Sequence, residues 1–177
     1  SDRIVVTYVP LPIEGSESVS SVNCLLHTRT ATTSRSLTMK IYIKKTDYNT
    51  ILAHCTAGLP NESCGLLAGT KEEEEITVTK VYLLTNIDAS REHFSMDPKE
   101  QLAALKDARA NGYKIIGNFH SHPESPSRPS EEDKRLAFDP TIEYLILSLM
   151  EEGNPVLKAF GIDKEKNVTI HEIEITE

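Results

Sequence analysis

The chain reads as a single α/β domain in which a mixed sheet carries helices on its faces. Three observations lead there. From residue 39 onward, short β-branched or apolar runs alternate with three helix-like stretches. One apolar run, Lys114 to Phe119, leads directly into His120-Ser121-His122-Pro123. The 177 residues, 38% hydrophobic and 26% charged, suffice for one well-cored unit but are short for two.

Residues 1–38 stand apart. Ile4 to Val9 could pair as a strand, but Thr28 to Thr38 is mostly Thr, Ser and Arg without periodicity. The segment 1–38 is read as an N-terminal extension or leader of unknown role, and 39–177 as the domain. Lys40 to Ile43 alternates as a short strand. Thr46 is expected to cap a helix that carries Tyr48, Ile51, Leu52 and Cys55 on one stripe, with Gly58 as its stop. Cys64 to Ala68 is the next strand, and Lys71 to Glu75 a solvated hairpin turn. Ile76 to Leu84, rich in β-branched residues, is a long strand; Asn86 to Phe94 is a polar loop.

Asp97-Pro98-Lys99-Glu100 is a helix opening, with an N-cap acid, proline at the first helical position and glutamate at the third. Leu102, Leu105 and Ala108 are expected to face the core, and Asn111-Gly112 to end the helix. Lys114 to His122 is a strand that Pro123 terminates by removing a ladder donor. Three prolines stiffen the connection Pro123 to Pro129. Ser130 starts a helix running to about Phe138, and three strands follow over Glu143 to Met150, Val156 to Ile162 and Val168 to Ile175.

Composition narrows the function. A formal charge of −8 lacks the basic stripe that a nucleic-acid partner wants. Cys24, Cys55 and Cys64 are odd in number and lack C-x-x-C spacing, which disfavours a disulfide framework and a cysteine zinc knuckle. No apolar run approaches a membrane span, and no basic-then-apolar signal opens the chain. The expected location is the cytoplasm, with no membrane partner.

The chemistry concentrates around His120 and His122. On a strand, residues two apart leave the same face, so both imidazoles can reach one cation. Ten residues intervene before Asp133, inside Ser130-Glu131-Glu132-Asp133. Two neutral nitrogens and one carboxylate with a fourth position open form the pattern of a catalytic zinc site, one ion per chain. Each part alone has a plainer account: strand-end histidines are common, and Ser130 with Asp133 is spaced as a helix capping box. Glu62, in front of the Cys64 strand, would by itself be a solvated strand end. Beside such a site it becomes the base that an activated water requires. Asp97 is explained fully by capping. His27, His54, His93 and His171 have no ligand partner at suitable spacing; Arg91 and Arg128 could meet a substrate tail but read first as solvated surface.

Glu62, His120-x-His122 and Ser130-x-x-Asp133, with Glu62 to Gly69 and Phe94 to Pro98 around them, resemble JAMM (MPN+) zinc metalloproteases of the small prokaryotic type. The resemblance covers roughly residues 39–177. It implies a cytidine-deaminase-like α-β-α sandwich, a zinc held by His120, His122 and Asp133, Glu62 as the proton-transferring base, and Ser130 as a donor to the oxyanion. It also implies deubiquitinase-like hydrolysis of the isopeptide or peptide bond after the terminal Gly-Gly of a ubiquitin-like or sulfur-carrier protein. A hydrolase that releases cysteine from a sulfur carrier, a cell-wall or phage-tail peptidase, and a non-catalytic MPN scaffold stay open as alternatives, as does the oligomeric state.

Overall fold

A computed structural model describes residues 38–177; the expected strand at 4–9, the leader as far as residue 37, Cys24 and His27 lie outside the described residues. Among the described residues the elements run β1 (Lys40–Lys44), α1 (Lys45–Ala57), β2 (Cys64–Lys71), β3 (Glu75–Leu84), α2 (Pro98–Ala110), β4 (Lys114–His122), α3 (Glu131–Leu136), β5 (Glu143–Ser148), β6 (Val156–Ile162) and β7 (Val168–Thr176). The expected mixed sheet with helices forms, in the order β1-β3-β2-β4-β5-β6-β7. β1 lies parallel to both β3 and β7, so the sheet curls until it closes on itself. β4 and β5 form the other parallel pair.

Period-two alternation sorts the strands' side chains onto two surfaces. One surface gathers residues from every strand, including Ile41, Leu67, Phe119 and Leu145, into a large apolar cluster, into which α1 lays Ile51 and Cys55. The other carries a smaller cluster of Cys64, Leu66, Leu84 and Met96 under Ala104 of α2. Helix, curved sheet and helix thus form the layers. A bulge opposite Ala68 leaves Ile116 unpaired with β2, since Leu67 faces Gly117 while Ala68 faces Ile115. The extra residue explains how Ile116 and Phe119, three apart, both enter the large cluster, while Asn118, His120 and His122 look out on the α2 side. No helix among the described residues is long and apolar enough to cross a membrane.

Three local expectations are corrected. Thr46 is not the cap of α1: Lys44 occupies that position with no side-chain bond, and the Thr46 carbonyl accepts from Thr50 Oγ1 at 2.9 Å. β1 runs into α1 without a loop, so Thr46 is already helical. In α2 the capping Asp97 accepts from the backbone N–H groups of Lys99 and Glu100 as expected, but the buried stripe is Gln101, Ala104 and Ala108, leaving Leu102 47% exposed. The alanines let the helix approach the sheet more closely than leucines would allow. The helix from Ser130 stops at Leu136 rather than Phe138, because Ala137 has left helical geometry at φ −79° and ψ 83°.

Gly65 is a point of close approach between β2 and its neighbours, the strand bearing the histidines among them. A methyl group there would meet Phe119 Cε1 at 2.2 Å and the Tyr82 carbonyl oxygen at 2.3 Å. Phe119 is fully buried and immediately precedes His120, so neither neighbour can retreat cheaply. Gly65→Ala is expected to cost at least about 1–3 kcal/mol, the usual range for overpacking. Urea unfolding checks this: an unchanged midpoint would show that β2 and β4 have slack at this point.

Candidate metal centre

β4 ends with His120 and His122 3% and 4% exposed, beside the short helix α3. His120 Nε2 and His122 Nε2 lie 3.1 Å apart, and both are near Asp133 Oδ2, at 3.3 and 3.2 Å. The capping box anticipated from Ser130-x-x-Asp133 is formed: Asp133 N donates to Ser130 Oγ at 3.0 Å, and Ser130 N donates to Asp133 Oδ2 at 2.8 Å. Capping fixes the carboxylate while leaving it turned toward the imidazoles. Burial works against charge on Asp133, but His120 and His122, with the Ser130 N–H, hold its carboxyl well below the usual carboxylate range. Burial likewise opposes charge on His122, yet the Asp133 carboxylate and the Pro126 carbonyl outweigh it and raise that imidazole.

These three atoms fit a small cation. Ligands placed about 2.0–2.1 Å from a tetrahedral ion stand roughly 3.3 Å from one another, and the three separations here are 3.1, 3.2 and 3.3 Å. Among the described residues, this is the cluster of histidine, cysteine and acid side chains that could hold a metal. The mixed nitrogen and oxygen set suits zinc. His122 is also oriented from behind, its Nδ1 lying 2.9 Å from the Pro126 carbonyl. The three prolines of that loop hold the acceptor in place.

Glu62 precedes β2, yet it is only 6% exposed. The loop after β3 clasps its backbone: Glu62 N donates to the Ser90 carbonyl at 2.8 Å, and Asn86 Nδ2 donates to the Glu62 carbonyl at 2.9 Å. Register does the rest. Cys64 pairs with His120, and Ser63 and Ser121 exchange two 2.9 Å bonds, which sets Glu62 opposite His122 on the histidines' face. Burial pushes the Glu62 carboxyl up to about 8; His122 pulls against this, while Asp133, Glu132 and Glu92 add to it. A carboxyl so placed exchanges protons near neutral pH.

Ser130 is exposed at the start of α3. Its oxygen accepts the capping bond, which leaves its hydroxyl hydrogen free to be donated elsewhere. Of the expected set, His120, His122 and Asp133 meet atom to atom, Ser130 caps the turn that carries Asp133, and Glu62 stands across the register from His122.

Several neighbours were not anticipated in these positions. Phe94 stacks on His120 with ring centroids 4.6 Å apart. His93 bonds Glu132 of α3, and Arg91 reaches Glu124 at 3.3 Å, so the loop carrying Phe94 is tied to the far side of the site. Cys64, by contrast, is the buried core thiol its apolar strand suggests, its pKa pushed up to about 12 by burial. His171 and Glu143 form a buried 2.5 Å pair across Gly161, remote in sequence and without a motif to announce it.

Known proteins resemble this chain in sequence or in fold. The family model described as prokaryotic homologs of the JAB domain matches residues 45–161. A desampylase of Haloferax volcanii is 36% identical over 105 residues, covering 56% of this chain and 74% of that protein. A CysO-cysteine peptidase of Mycobacterium tuberculosis is 28% identical over 114 residues, covering 64% of this chain and 77% of the relative. A solution structure of a Desulfitobacterium hafniense protein superposes with a TM-score of 0.72 at 52% identity, covering 78% of this chain and 94% of the other. With its motif, fold and family match in agreement, the chain belongs to the prokaryotic homologs of the JAB domain.

Proposed function

We propose that this protein is a zinc metalloprotease of the JAMM type that hydrolyses the isopeptide or peptide bond after the C-terminal Gly-Gly of a ubiquitin-like or sulfur-carrier protein. The observation that carries the reading is the convergence of His120 Nε2, His122 Nε2 and Asp133 Oδ2 within 3.3 Å, opposite a buried Glu62. The names of the desampylase and CysO-cysteine peptidase relatives support a hydrolase acting on small modifier or carrier proteins.

His120, His122 and Asp133 would hold the zinc. When bound, that ion supplies a Lewis acid for the scissile carbonyl and for the attacking water. Glu62 takes the water's proton on its carboxylate and hands it to the leaving amine; its raised pKa suits a group that must both accept and release a proton near neutrality. Ser130 donates its free hydroxyl hydrogen to the oxygen that gains charge at the carbonyl carbon; removing such a donor typically costs on the order of 10²–10³ in rate. Burial of both imidazoles keeps bulk water from competing for their nitrogens. Residues 1–38 are proposed to lie outside this chemistry, and the cytoplasm to be its place.

A second reading, release of cysteine from the C-terminus of a sulfur carrier, draws on the 28% identical CysO-cysteine peptidase. It uses the same groups with a smaller leaving amine, so one assay panel separates the two. Carrier proteins ending in Gly-Gly joined to a lysine side chain, to a peptide or to a single cysteine would be offered to the zinc-loaded protein. Cleavage after the Gly-Gly is expected, and replacing the last glycine by a bulky residue should block it. Equal cutting of the bulky variant would defeat the Gly-Gly assignment.

One zinc per chain is expected in the purified protein, and a strong chelator should abolish turnover. His120→Ala or Asp133→Ala should lose most of the metal, and Asp133→Ala should also cost the start of α3 the bond from Ser130 N, worth about 0.5–1.5 kcal/mol. Metal analysis that finds no zinc after zinc-replete expression, with no thermal shift on adding it, contradicts the assignment.

Glu62→Gln should retain zinc yet lose hydrolysis by several orders of magnitude, since both proton transfers pass through this carboxyl. Stability gives an independent readout. The Glu62 carboxyl titrates near 4.5 when exposed and near 8 in the folded, metal-free protein. Between these values the folded state holds a proton that the unfolded state has released, so this residue's contribution makes stability fall as pH rises through the window. Metal-free Glu62→Gln should lack that slope and be the more stable protein above about pH 8. Parallel pH–stability curves for the two proteins would refute the buried titration.

A further inference from the structure

The two imidazoles of the candidate centre are supported unequally. His122 has the Pro126 carbonyl behind its Nδ1 at 2.9 Å. His120 is 3% exposed, and its Nδ1 is buried with no hydrogen-bond partner. Nothing in the backbone of the Pro123–Pro129 loop serves it as that loop serves His122. One other buried side-chain polar atom among the described residues lacks a partner, the Asn118 Oδ1. Asn118 lies two residues before His120 on β4, hence on the same face, and both line the apolar cavity under α2 and α3.

These two atoms are chemically complementary. An imidazole that offers Nε2 to a cation while neutral carries its hydrogen on Nδ1 and needs an acceptor there. A carboxamide oxygen is such an acceptor. Asn118 is flanked by Leu66 on β2 and Tyr144 on β5, which offer its oxygen nothing, because the Tyr144 hydroxyl donates to the Asp139 carbonyl at 2.7 Å. Ser95 Oγ is likewise taken, donating to Asp88 Oδ2 at 2.8 Å. Phe94 covers a face of the His120 ring and lines the same cavity, offering Nδ1 no polar atom of its side chain. A buried oxygen left without a donor is costly, and packing against Leu66 and Tyr144 gives no folding reason for an asparagine there.

We infer that Asn118 is a positioning residue of the metal centre: its carboxamide oxygen accepts the Nδ1–H of His120 across one bridging water, the two atoms not being bonded directly, and holds the ring in the tautomer whose Nε2 faces Asp133. This rests on the reading of His120, His122 and Asp133 as zinc ligands. Asn118 touches neither cation nor substrate; it acts through the ring.

The test pairs zinc affinity, measured by competition with a chromophoric chelator, with the ring-nitrogen signals of ¹⁵N-histidine-labelled, zinc-loaded protein. Asn118→Leu is expected to weaken zinc binding by roughly 10- to 100-fold, the usual effect of removing such a partner, and to shift or exchange-broaden the His120 Nδ1–H signal. Asn118→Asp, which keeps an acceptor, should bind zinc at least as tightly as the parent. If the leucine variant does not fold, Asn118→Ala takes its place in both measurements. Unchanged affinity and an unchanged Nδ1–H signal in a folded acceptor-less variant overturn the inference while leaving the zinc reading intact. A parent protein that takes up no zinc overturns both. An equal loss of affinity in Gln101→Leu, a polar neighbour lining the same cavity, would assign the effect to cavity polarity and likewise overturn it.

Discussion

A single carboxylate oxygen, Oδ2 of Asp133, ties together the parts of the molecule that matter most. It accepts the Ser130 N–H at 2.8 Å and lies 3.2 and 3.3 Å from the two imidazoles of β4. One atom therefore joins the proline loop, the first turn of α3 and the end of the strand. The arrangement works because a capping box uses a side chain that must in any case be held rigid. α3 has only six residues and no buried side chain of its own. Its place depends on this oxygen and on side-chain hydrogen bonds such as that between His93 and Glu132 more than on apolar packing.

Electrostatics around that atom set two acids apart. Asp133 faces imidazoles and stays ionised; Glu62 is buried nearby and favours its protonated form. In the proposed chemistry, environments that push neighbouring acids in opposite directions would divide the labour of ligand and proton carrier between them. A bound cation's charge would lower the Glu62 pKa, so the value near 8 belongs to the metal-free protein. The buried carboxyl costs folding stability above neutrality, a cost tolerated where a polar group has work to do.

Backbone geometry delivers these groups to one point. Ser63 and Ser121 exchange bonds that set Glu62 opposite His122, and the bulge at Ile116 keeps Phe119 in the core while the histidines look out on the α2 side. Close approach at Gly65 lets Phe119 lie against β2. The strand that carries the histidines is held by pairing on both sides, antiparallel to β2 and parallel to β5.

Much of this was legible along the chain wherever information is local. The bounds of β4, the Asp97 cap, the Ser130–Asp133 capping box and the pairing of His120 with His122 all follow from residues within four positions of one another. Thr46 and Leu102 misled because a loopless junction and the close seating of Ala104 and Ala108 are decided by what lies across the fold. The motif brought Glu62 into the account, but its burial and its place opposite His122 come from strand register and from the loop at Asn86 and Ser90. The same holds for closure of the sheet through β1 and β7, for Phe94 over His120, and for the buried oxygen of Asn118. Spacing determined which side chains could share a cation, because strand and helix periods are properties of the chain itself. Only tertiary structure decided which of them are desolvated and which are partnered, because pairing and burial are relations between segments distant in sequence.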